Sequence, residues 1–216
     1  MKYMIHTYPK RLWYVNEYLV PSMIKQGIKA SDIYIFNDGN KRGNLQAFLD
    51  SLDYIINNLS EEKGLWHLQD DVIISRDFKD ISEMIDEEVV NNGFVNKIYA
   101  NVEKTGRVNV KEYWYSFPCL YIPNKYLYEF MCWLNEVRDK NPYKRRYEEG
   151  RYDDYFFYKY LIKVHPRDEM INLKPNIVDH IDYLLGGTSG KRRNVPVRSE
   201  YFNDLDLVKE LERELK

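Results

Sequence analysis

Hydrophobic residues follow two alternating patterns along the first half of the chain. Short apolar runs predict three strands, at residues 2–7, 33–36 and 65–68. Between them, residues 11–27 and 44–57 carry apolar side chains at helical spacing, which predicts two amphipathic helices. Pro21 is expected to kink or split the first of them. Strands and helices therefore alternate, as they do in a layered α/β domain.

The second half of the chain has a different pattern. Residues 94–101 and 113–122 are predicted to be strands separated by a polar segment, and residues 124–138 predict a helix. A short helix is expected to run through Leu161, and a last helix from Asp204. Because no repeat or low-complexity linker divides the sequence, we expect a single α/β domain with a mixed central sheet flanked by helices.

Composition excludes several classes of protein. Of the 216 residues, 15% are aromatic, and 32 basic against 34 acidic residues give a net charge of -2. Such aromatic content is incompatible with intrinsic disorder, and the charge balance argues against a general polybasic nucleic-acid binder. No apolar run approaches the roughly 20 residues that span a bilayer, and we expect a cytoplasmic protein. Cys119 and Cys132 lie in apolar stretches and are expected to be buried, reduced thiols.

The most informative polar residues are Gln69, Asp70 and Asp71, directly after the third predicted strand. Adjacent carboxylates in a dry site repel each other, and Mg²⁺ or Mn²⁺ resolves that repulsion while bound phosphates complete the metal shell. The alternative is a simple polar turn. Ligands of open α/β sheets gather beyond the carboxyl ends of the strands, so Thr7 and Asp38 should share an edge with Asp71. Asp38 on its own is more typical of a turn residue.

Further polar groups follow in the second half. Asp153 and Asp154 begin a predicted helix, where a carboxylate either caps the helix or serves as a base. His180 follows an apolar stretch and would complete a mixed carboxylate–imidazole site suited to Mn²⁺. Glycines precede Lys191 and Arg192, in a segment that either reaches phosphate oxygens or is a solvated basic loop. It lacks the P-loop pattern.

Together these segments resemble a small nucleotide-sugar glycosyltransferase of the GT-A fold, of the bacterial or bacteriophage type. IHTYPKR through IYIFND is similar to the first βαβ unit of that fold, and LQDDV is similar to its acidic motif, with Gln69 in the place of the first carboxylate. RYDDYFFYKYL resembles the motif that begins the catalytic helix. PNIVDHI and the following GGTS resemble a C-terminal segment in which a histidine binds the metal and a loop closes over the diphosphate.

The resemblance implies a division of the chain. Residues 1–75 would form a Rossmann-like half that binds the nucleotide sugar, with UDP as the expected nucleotide, and residues 94–190 would form the acceptor and catalytic half. Residues 191–216 would form a C-terminal loop and helix. The residues expected to contact the donor are Thr7, Arg11, Asp38, Asp70, Lys191 and Arg192.

The resemblance also implies the chemistry. Asp71 and His180 would hold Mn²⁺ or Mg²⁺, which neutralises the leaving nucleoside diphosphate. If the reaction inverts the sugar, Asp153 or Asp154 would take the proton from the acceptor hydroxyl. A retaining enzyme would not need a base in that position.

The acceptor and some other functions stay open at this level. The acceptor would be a carbohydrate, a small molecule or, in a viral enzyme, a modified base of DNA. Basic and aromatic residues alternate at residues 143–147, a pattern that fits either a nucleic-acid-binding patch or a solvated loop. A metal-dependent hydrolase or nuclease would use the same carboxylates, and Gln69 keeps a non-catalytic sugar-binding module open. Tyrosines are expected to flank the acceptor side, at Tyr113, Tyr115, Tyr121, Tyr152 and Tyr155. The oligomeric state does not follow from the sequence.

Overall fold

The computed structural model describes residues 1–40, 42–85, 88–94, 106–110, 118–150, 152–186, 202 and 204–215. The strands are β1 Lys2–Thr7, β2 Ile33–Asn37, β3 Gly64–Gln69, β4 Val72–Ile74, β5 Asn91–Asn92, β6 Gly106–Asn109, β7 Cys119–Pro123, β8 Glu169–Asn172 and β9 Val178–His180. The α-helices are α1 Leu12–Tyr14, α2 Val20–Lys25, α3 Asn44–Asn58, α4 Phe78–Glu83, α5 Asn124–Val137, α6 Lys144–Glu148, α7 Asp153–Val164, α8 Asp182–Leu185 and α9 Leu205–Glu214.

A seven-stranded mixed sheet forms the centre, in the order β2-β1-β3-β7-β5-β8-β6. The strand β1 is parallel to both β2 and β3, as expected for strands joined by helical crossovers. Beyond β3 the sheet becomes mixed, because β7 is antiparallel to β3 and β5, while β8 is parallel to β5 and antiparallel to β6. A separate two-stranded sheet pairs β4 with β9.

Helices cover both faces of the central sheet. Alternate side chains of β1 enter opposite cores: Met4 packs with α3, α5 and α7, whereas Tyr3 and Ile5 pack with α1, α2, α4 and α9. The strands β1 and β3 are buried on both faces, and such strands appear in the sequence as continuous apolar runs. The strand β2 has a short apolar run as well, although it is a half-exposed edge strand. The mixed central sheet flanked by helices confirms the predicted fold class.

The first predicted helix forms, but Pro21 alters it. A π-helical turn at Val15–Leu19 separates α1 from α2, and Pro21 lies in the first turn of α2. Proline has no backbone N–H for the usual bond to the carbonyl four residues before it, and a π-turn accommodates such a defect without ending the helix.

The second half departs from the sequence prediction in two places. The segment expected to be a polar connector contains β6, an edge strand in which only Val108 enters the core. The strand β5 consists of two buried asparagines, and Phe94 lies after it rather than in a strand. Neither strand has an apolar run in the sequence. Each forms by pairing with a segment that is distant in the chain, so no local pattern predicts it. Residues 95–105 and 111–117 lie outside the described residues.

Two side chains, Cys132 and Tyr121, differ from their expected environments. Both cysteines are free, with Cys119 buried as expected, but Cys132 is exposed on the outer face of α5. Tyr121 is fully buried beside Trp66, its partner on the neighbouring strand, so it belongs to the core and not to an acceptor surface. Among the described residues, no helix is long and apolar enough to cross a membrane.

Candidate functional site

The site lies at the edge of the sheet where β1, β2 and β3 end. The register pairs Thr7 with Asn37 and His6 with Gln69, so the three parallel strands finish side by side. The backbone N–H of Asp38 donates to the carbonyl of Thr7 at 2.8 Å, which ties the turn after β2 to the end of β1. The common edge expected from the sequence is therefore present.

Arg11 joins the two carboxylates that follow β3. Its Nη1 donates to Asp70 Oδ1 at 2.9 Å and to Asp71 Oδ2 at 2.6 Å, and its Nη2 donates to the carbonyl of Gly186 at 2.8 Å. Asp70 Oδ2 also accepts from the backbone N–H of Tyr8 at 3.3 Å, and the side chain of Thr7 lies beside the same carboxylate. All three charged side chains are buried, so the guanidinium resolves the repulsion that the sequence pattern predicts.

His180 approaches the same carboxylate from the second sheet. The antiparallel register places His180 opposite Val72, the residue after Asp71, and His180 Nε2 lies 3.2 Å from Asp71 Oδ2. On its other side, His180 Nδ1 lies 3.5 Å from Asp182 Oδ1, in the first turn of α8. Burial opposes the charged form of the imidazole, but Asp71 and Asp182 together outweigh burial and raise the pKa of His180.

The two adjacent carboxylates have opposite electrostatic environments. Burial and the charge of Asp71 raise the pKa of Asp70 to about 6, against the opposing effect of Arg11. Burial alone would raise the pKa of Asp71, but His180 and Arg11 outweigh burial and lower it. Of the pair, Asp71 is therefore the member whose charged form is favoured, as a cation ligand requires.

A divalent cation fits this cluster as a site with two protein ligands. The 3.2 Å between Asp71 Oδ2 and His180 Nε2 is close to the roughly 3 Å between neighbouring ligand atoms of an octahedral ion. Asp71 Oδ1 is buried without a hydrogen-bond partner in the described part of the chain, and Asp182 beside the imidazole resembles the carboxylate that orients a metal-binding histidine. No three described His, Cys, Asp or Glu side chains form a metal cage, so phosphate and water would supply the remaining ligands.

Asp38 organises its own turn. Its Oδ1 accepts from the backbone N–H of Arg42 at 3.0 Å and its Oδ2 from that of Gly43 at 2.8 Å. Both carboxylate oxygens therefore stabilise the loop that leads into α3, which is the turn role considered from the sequence. Its predicted contact with the donor stays a prediction.

Asp153 and Asp154 begin α7 but differ in their contacts. Asp153 is buried and hydrogen-bonds the side chain of Gln69, the last residue of β3. Burial, and then the charge of Asp154, raise the pKa of Asp153 to about 7. Asp154 accepts the backbone N–H of Tyr155 at 2.6 Å, and burial raises its pKa as well. Of the two, Asp153 is the one connected to the edge of the sheet.

The backbone just before Asp153 is strained. Tyr152 has a φ of 119°, an orientation that is costly for any residue with a side chain. Its ring is exposed, and the guanidinium of Arg146 lies 5.9 Å from it and 4.0 Å from the ring of Tyr155. Two of the tyrosines expected on the acceptor side therefore lie next to Asp153, while Tyr113 and Tyr115 lie outside the described residues.

The basic stretch at residues 143–147 forms α6 and an exposed surface. Lys144 approaches Glu148 at 4.0 Å and Arg145 approaches Glu149 at 3.0 Å, both one helical turn away. Two of the three basic side chains of α6 are thus neutralised locally, and the third, Arg146, stacks on tyrosine. This arrangement favours the solvated interpretation over a patch that grips a polyanion.

Several site features were missed by the sequence interpretation or lie beyond the described residues. Lys191 and Arg192 are outside that part of the chain. Asp182 was missed, although its spacing from His180 was a usable signal. The hydrogen bond of Gln69 to Asp153 joins residues far apart in sequence, and no local pattern indicates it. Arg11 lies between the two carboxylates, and its expected contact with the donor stays a prediction.

No protein-family model matches the chain, and no curated protein matches it in sequence. Solved structures with a similar fold include A197 from STIV, with 17% identity and a TM-score of 0.47 over 84% of this chain and 86% of that one. A glycosyltransferase involved in the glycosylation of the major capsid of PBCV-1 has 13% identity and a TM-score of 0.41, over 85% of this chain and 83% of that one. The galactosyltransferase LgtC, in complex with donor and acceptor sugar analogues, has 9% identity and a TM-score of 0.44, over 100% of this chain and 96% of that one.

Proposed function

We propose that the chain is a glycosyltransferase that moves a sugar from a nucleoside-diphosphate sugar, with UDP as the nucleotide, to an acceptor hydroxyl. The observation that carries the proposal is the connection of two groups at one sheet edge. One group is Asp71 with Arg11 and His180, which suits an anionic leaving group and its cation. The other is the buried Asp153, linked to that edge through Gln69.

The first group accounts for the departure of the diphosphate. Negative charge builds up on the leaving phosphate as the sugar–oxygen bond breaks, and cationic groups fixed in a buried site stabilise that charge without reorganisation. Arg11 provides a planar guanidinium, and Asp71 and His180 would hold Mn²⁺ or Mg²⁺, which would supply Lewis-acid stabilisation of the same charge. Lys191 and Arg192 are proposed to add phosphate contacts.

The second group accounts for activation of the acceptor in an inverting transfer. A general base works best when its pKa is near the operating pH. Burial and Asp154 raise the pKa of Asp153 to about 7, so at neutral pH a large share of this carboxylate is ionised and still basic enough to take a hydroxyl proton. Both carboxylates accept hydrogen bonds from the backbone at the start of α7, but Asp153 also bonds Gln69 at the edge of the sheet, and for that reason we assign the base to Asp153.

The acceptor is proposed to be a carbohydrate or another neutral hydroxyl compound that stacks on Tyr152. Tyrosine offers a flat apolar face and a hydroxyl, which suits a sugar ring. A DNA acceptor is less favoured because Lys144 and Arg145 are paired within the segment of α6. A two-metal nuclease would need a denser set of acidic ligands than Asp70 and Asp71 supply.

The decisive experiment is a screen of nucleotide sugars with Mn²⁺, read as released nucleoside diphosphate. We expect a UDP-sugar to be hydrolysed slowly without acceptor and faster with one. Asp71→Asn should reduce release by about a hundredfold or more, because it removes the fixed charge that holds the cation. Asp153→Asn should reduce the rate of transfer to the acceptor by a larger factor than it reduces the rate of donor hydrolysis.

The matched control is Asp139→Asn, since Asp139 is a largely exposed acid distant in sequence from both groups. It should leave both rates unchanged. Thermal stabilisation by divalent ions with no effect of any nucleotide would indicate a hydrolase, and donor binding without turnover would indicate a sugar-binding module. Turnover that requires DNA containing hydroxylated bases would identify the viral type of acceptor.

A further inference from the structure

Arg11 lies where the negative charge of the site is concentrated. Its Nη1 contacts one oxygen of Asp70 and one of Asp71, and its Nη2 is held by the carbonyl of Gly186. The side chain is only 2% exposed, and its Nε has no hydrogen-bond partner among the described residues. A buried guanidinium this close to two carboxylates serves as their counter-ion.

The oxygen that Arg11 contacts on Asp71 is the one that faces His180, so a metal held jointly by Asp71 and His180 would use that oxygen. Asp71 Oδ2 accepts from Arg11 Nη1 at 2.6 Å and faces His180 Nε2 at 3.2 Å. A divalent ion bound between Asp71 and His180 would therefore lie within a few ångströms of the guanidinium. Because the cluster is buried, the repulsion between these positive charges is weakly screened.

We propose that Arg11 competes with the divalent cation for Asp71, so that the metal alone binds weakly and binds well only together with a diphosphate. This inference rests on the proposed function, because it needs a metal and a diphosphate at Asp71. The anionic oxygens of a diphosphate offer the planar guanidinium an alternative bidentate partner. If donor and metal bound together, Arg11 would shift its hydrogen bonds from Asp71 to the phosphate oxygens, which would leave Asp71 free to hold the cation with His180.

Titration of Mn²⁺ alone, followed by calorimetry or by electron paramagnetic resonance, tests the competition without reference to turnover. We expect Arg11→Gln to bind Mn²⁺ at least about tenfold more tightly than the wild type, because the competing charge is gone. Arg11→Lys keeps a positive charge and should stay close to the wild type. Asp71→Asn should bind no Mn²⁺, which ties the signal to this site.

A second pair of variants protects the test against misfolding. Arg11→Gln leaves two buried carboxylates without their counter-ion, which is destabilising. The second pair is the single variant Asp70→Asn and the double variant Asp70→Asn/Arg11→Gln. The double variant removes the guanidinium from a protein that already has one negative charge fewer. The double variant should again bind Mn²⁺ about tenfold more tightly than its single parent. In the wild type, UDP should also increase the affinity for Mn²⁺ more than it does in the double variant.

The outcomes separate this inference from the proposed function. Equal or weaker Mn²⁺ binding by the Arg11→Gln variants, with the Asp71→Asn loss still present, would overturn the competition and leave the metal site intact. If no variant binds Mn²⁺ even with UDP, the proposed metal site fails and the competition fails with it. If UDP-sugars were then still turned over in the presence of a chelator, glycosyl transfer would stand as the proposed function without the metal site.

Discussion

Gly43 and Gly150 touch through their backbones, and this contact joins the two halves of the proposed site. Gly43 adopts a φ of 102° and Gly150 a φ of 65°, and the backbone N–H of Leu45 donates to the carbonyl of Gly150 at 3.0 Å. Asp38 holds the same loop by accepting the N–H of Gly43. The turn after β2 is thereby fixed against the segment that leads to Asp153.

Replacing Gly43 by alanine should disturb both stability and activity. A Cβ at this position would collide with the carbonyl oxygen of Gly150, and the positive φ adds strain of its own. We expect Gly43→Ala to lower the free energy of unfolding by about 2–4 kcal/mol, measured by denaturant titration.

Gly39→Ala is the matched control, since Gly39 lies in the same loop with open space around its Cα. It should change stability by less than about 0.5 kcal/mol. If both alanine variants behaved alike, the contact with Gly150 would not hold the loop.

Elements with a local signature were predictable from the sequence. The strands β1 to β3 follow from short apolar runs, and the helices α3 and α5 follow from apolar periodicity, because each helix packs its apolar face against the sheet. The strand β5 is formed by two buried asparagines between β7 and β8, so its position depends on pairing and not on its own pattern. The same holds for β6, which pairs with β8.

The candidate site divides in the same way. Its location beyond β3 followed from Asp70 and Asp71 at the end of an apolar run. The approach of His180 depends on the β4–β9 pairing, and the approach of Arg11 depends on how α1 begins. The sequence suggested that a divalent ion resolves the repulsion within the carboxylate pair, whereas the structure shows that the chain already supplies a cation of its own.

Gln69 explains why the acidic motif departs from the pattern it resembles. A carboxylate at this position would face the buried Asp153 and repel it, whereas the amide of Gln69 hydrogen-bonds Asp153. That bond stabilises the ionised form and opposes the effect of burial. Gln69→Leu should therefore raise the pKa of Asp153.

The measurement is the pH dependence of transfer to the acceptor. The midpoint should move to higher pH in Gln69→Leu, and the rate at high pH should approach that of the wild type. Gln46→Leu, which removes an exposed amide from α3, should leave the midpoint in place. A uniform loss of rate with an unchanged midpoint would show that Gln69 does not act on the base.

A buried chain of hydrogen bonds lies behind the site. Ser51 donates to the carbonyl of Phe48 at 2.6 Å, so its oxygen accepts from His6 Nε2 at 2.7 Å. His6 Nδ1 is then the acceptor for His67 Nε2 at 3.1 Å. A neutral imidazole at His6 satisfies both of these hydrogen bonds, and burial lowers the pKa of His6 to about 3.

The buried His6 should make the protein sensitive to acid. The unfolded chain takes up a proton near pH 6.5 and the folded chain only near pH 3, so stability falls as the pH decreases through this window. Between pH 7.5 and pH 5 the loss from His6 should be about 2 kcal/mol. In His6→Gln the decline should be shallower by that amount, as measured by urea denaturation at each pH. Parallel curves for the two proteins would exclude His6 as the cause.

Asp153 should affect stability in the opposite direction. Its pKa is about 7 in the folded chain against an ordinary value of 3.8, so between these values the folded protein holds a proton that the unfolded chain has released. Stability from this group is therefore complete below about pH 4 and is lost as the pH rises through 7. An asparagine side chain cannot ionise, so Asp153→Asn should be more stable than the wild type at pH 8, by about 2–4 kcal/mol, and equal to it near pH 4.

The contrast with His6 makes the measurement specific. In the wild type the two groups have opposite slopes over pH 4 to 6.5 and partly cancel, so only the difference between variant and wild type isolates Asp153. Asp139→Asn, on an exposed acid, should give a flat difference. If Asp153→Asn gains stability at pH 8 and loses transfer to the acceptor, then Asp153 lowers the stability of the protein and is needed for the reaction. A variant less stable than the wild type at pH 8 would instead assign Asp153 to holding the start of α7.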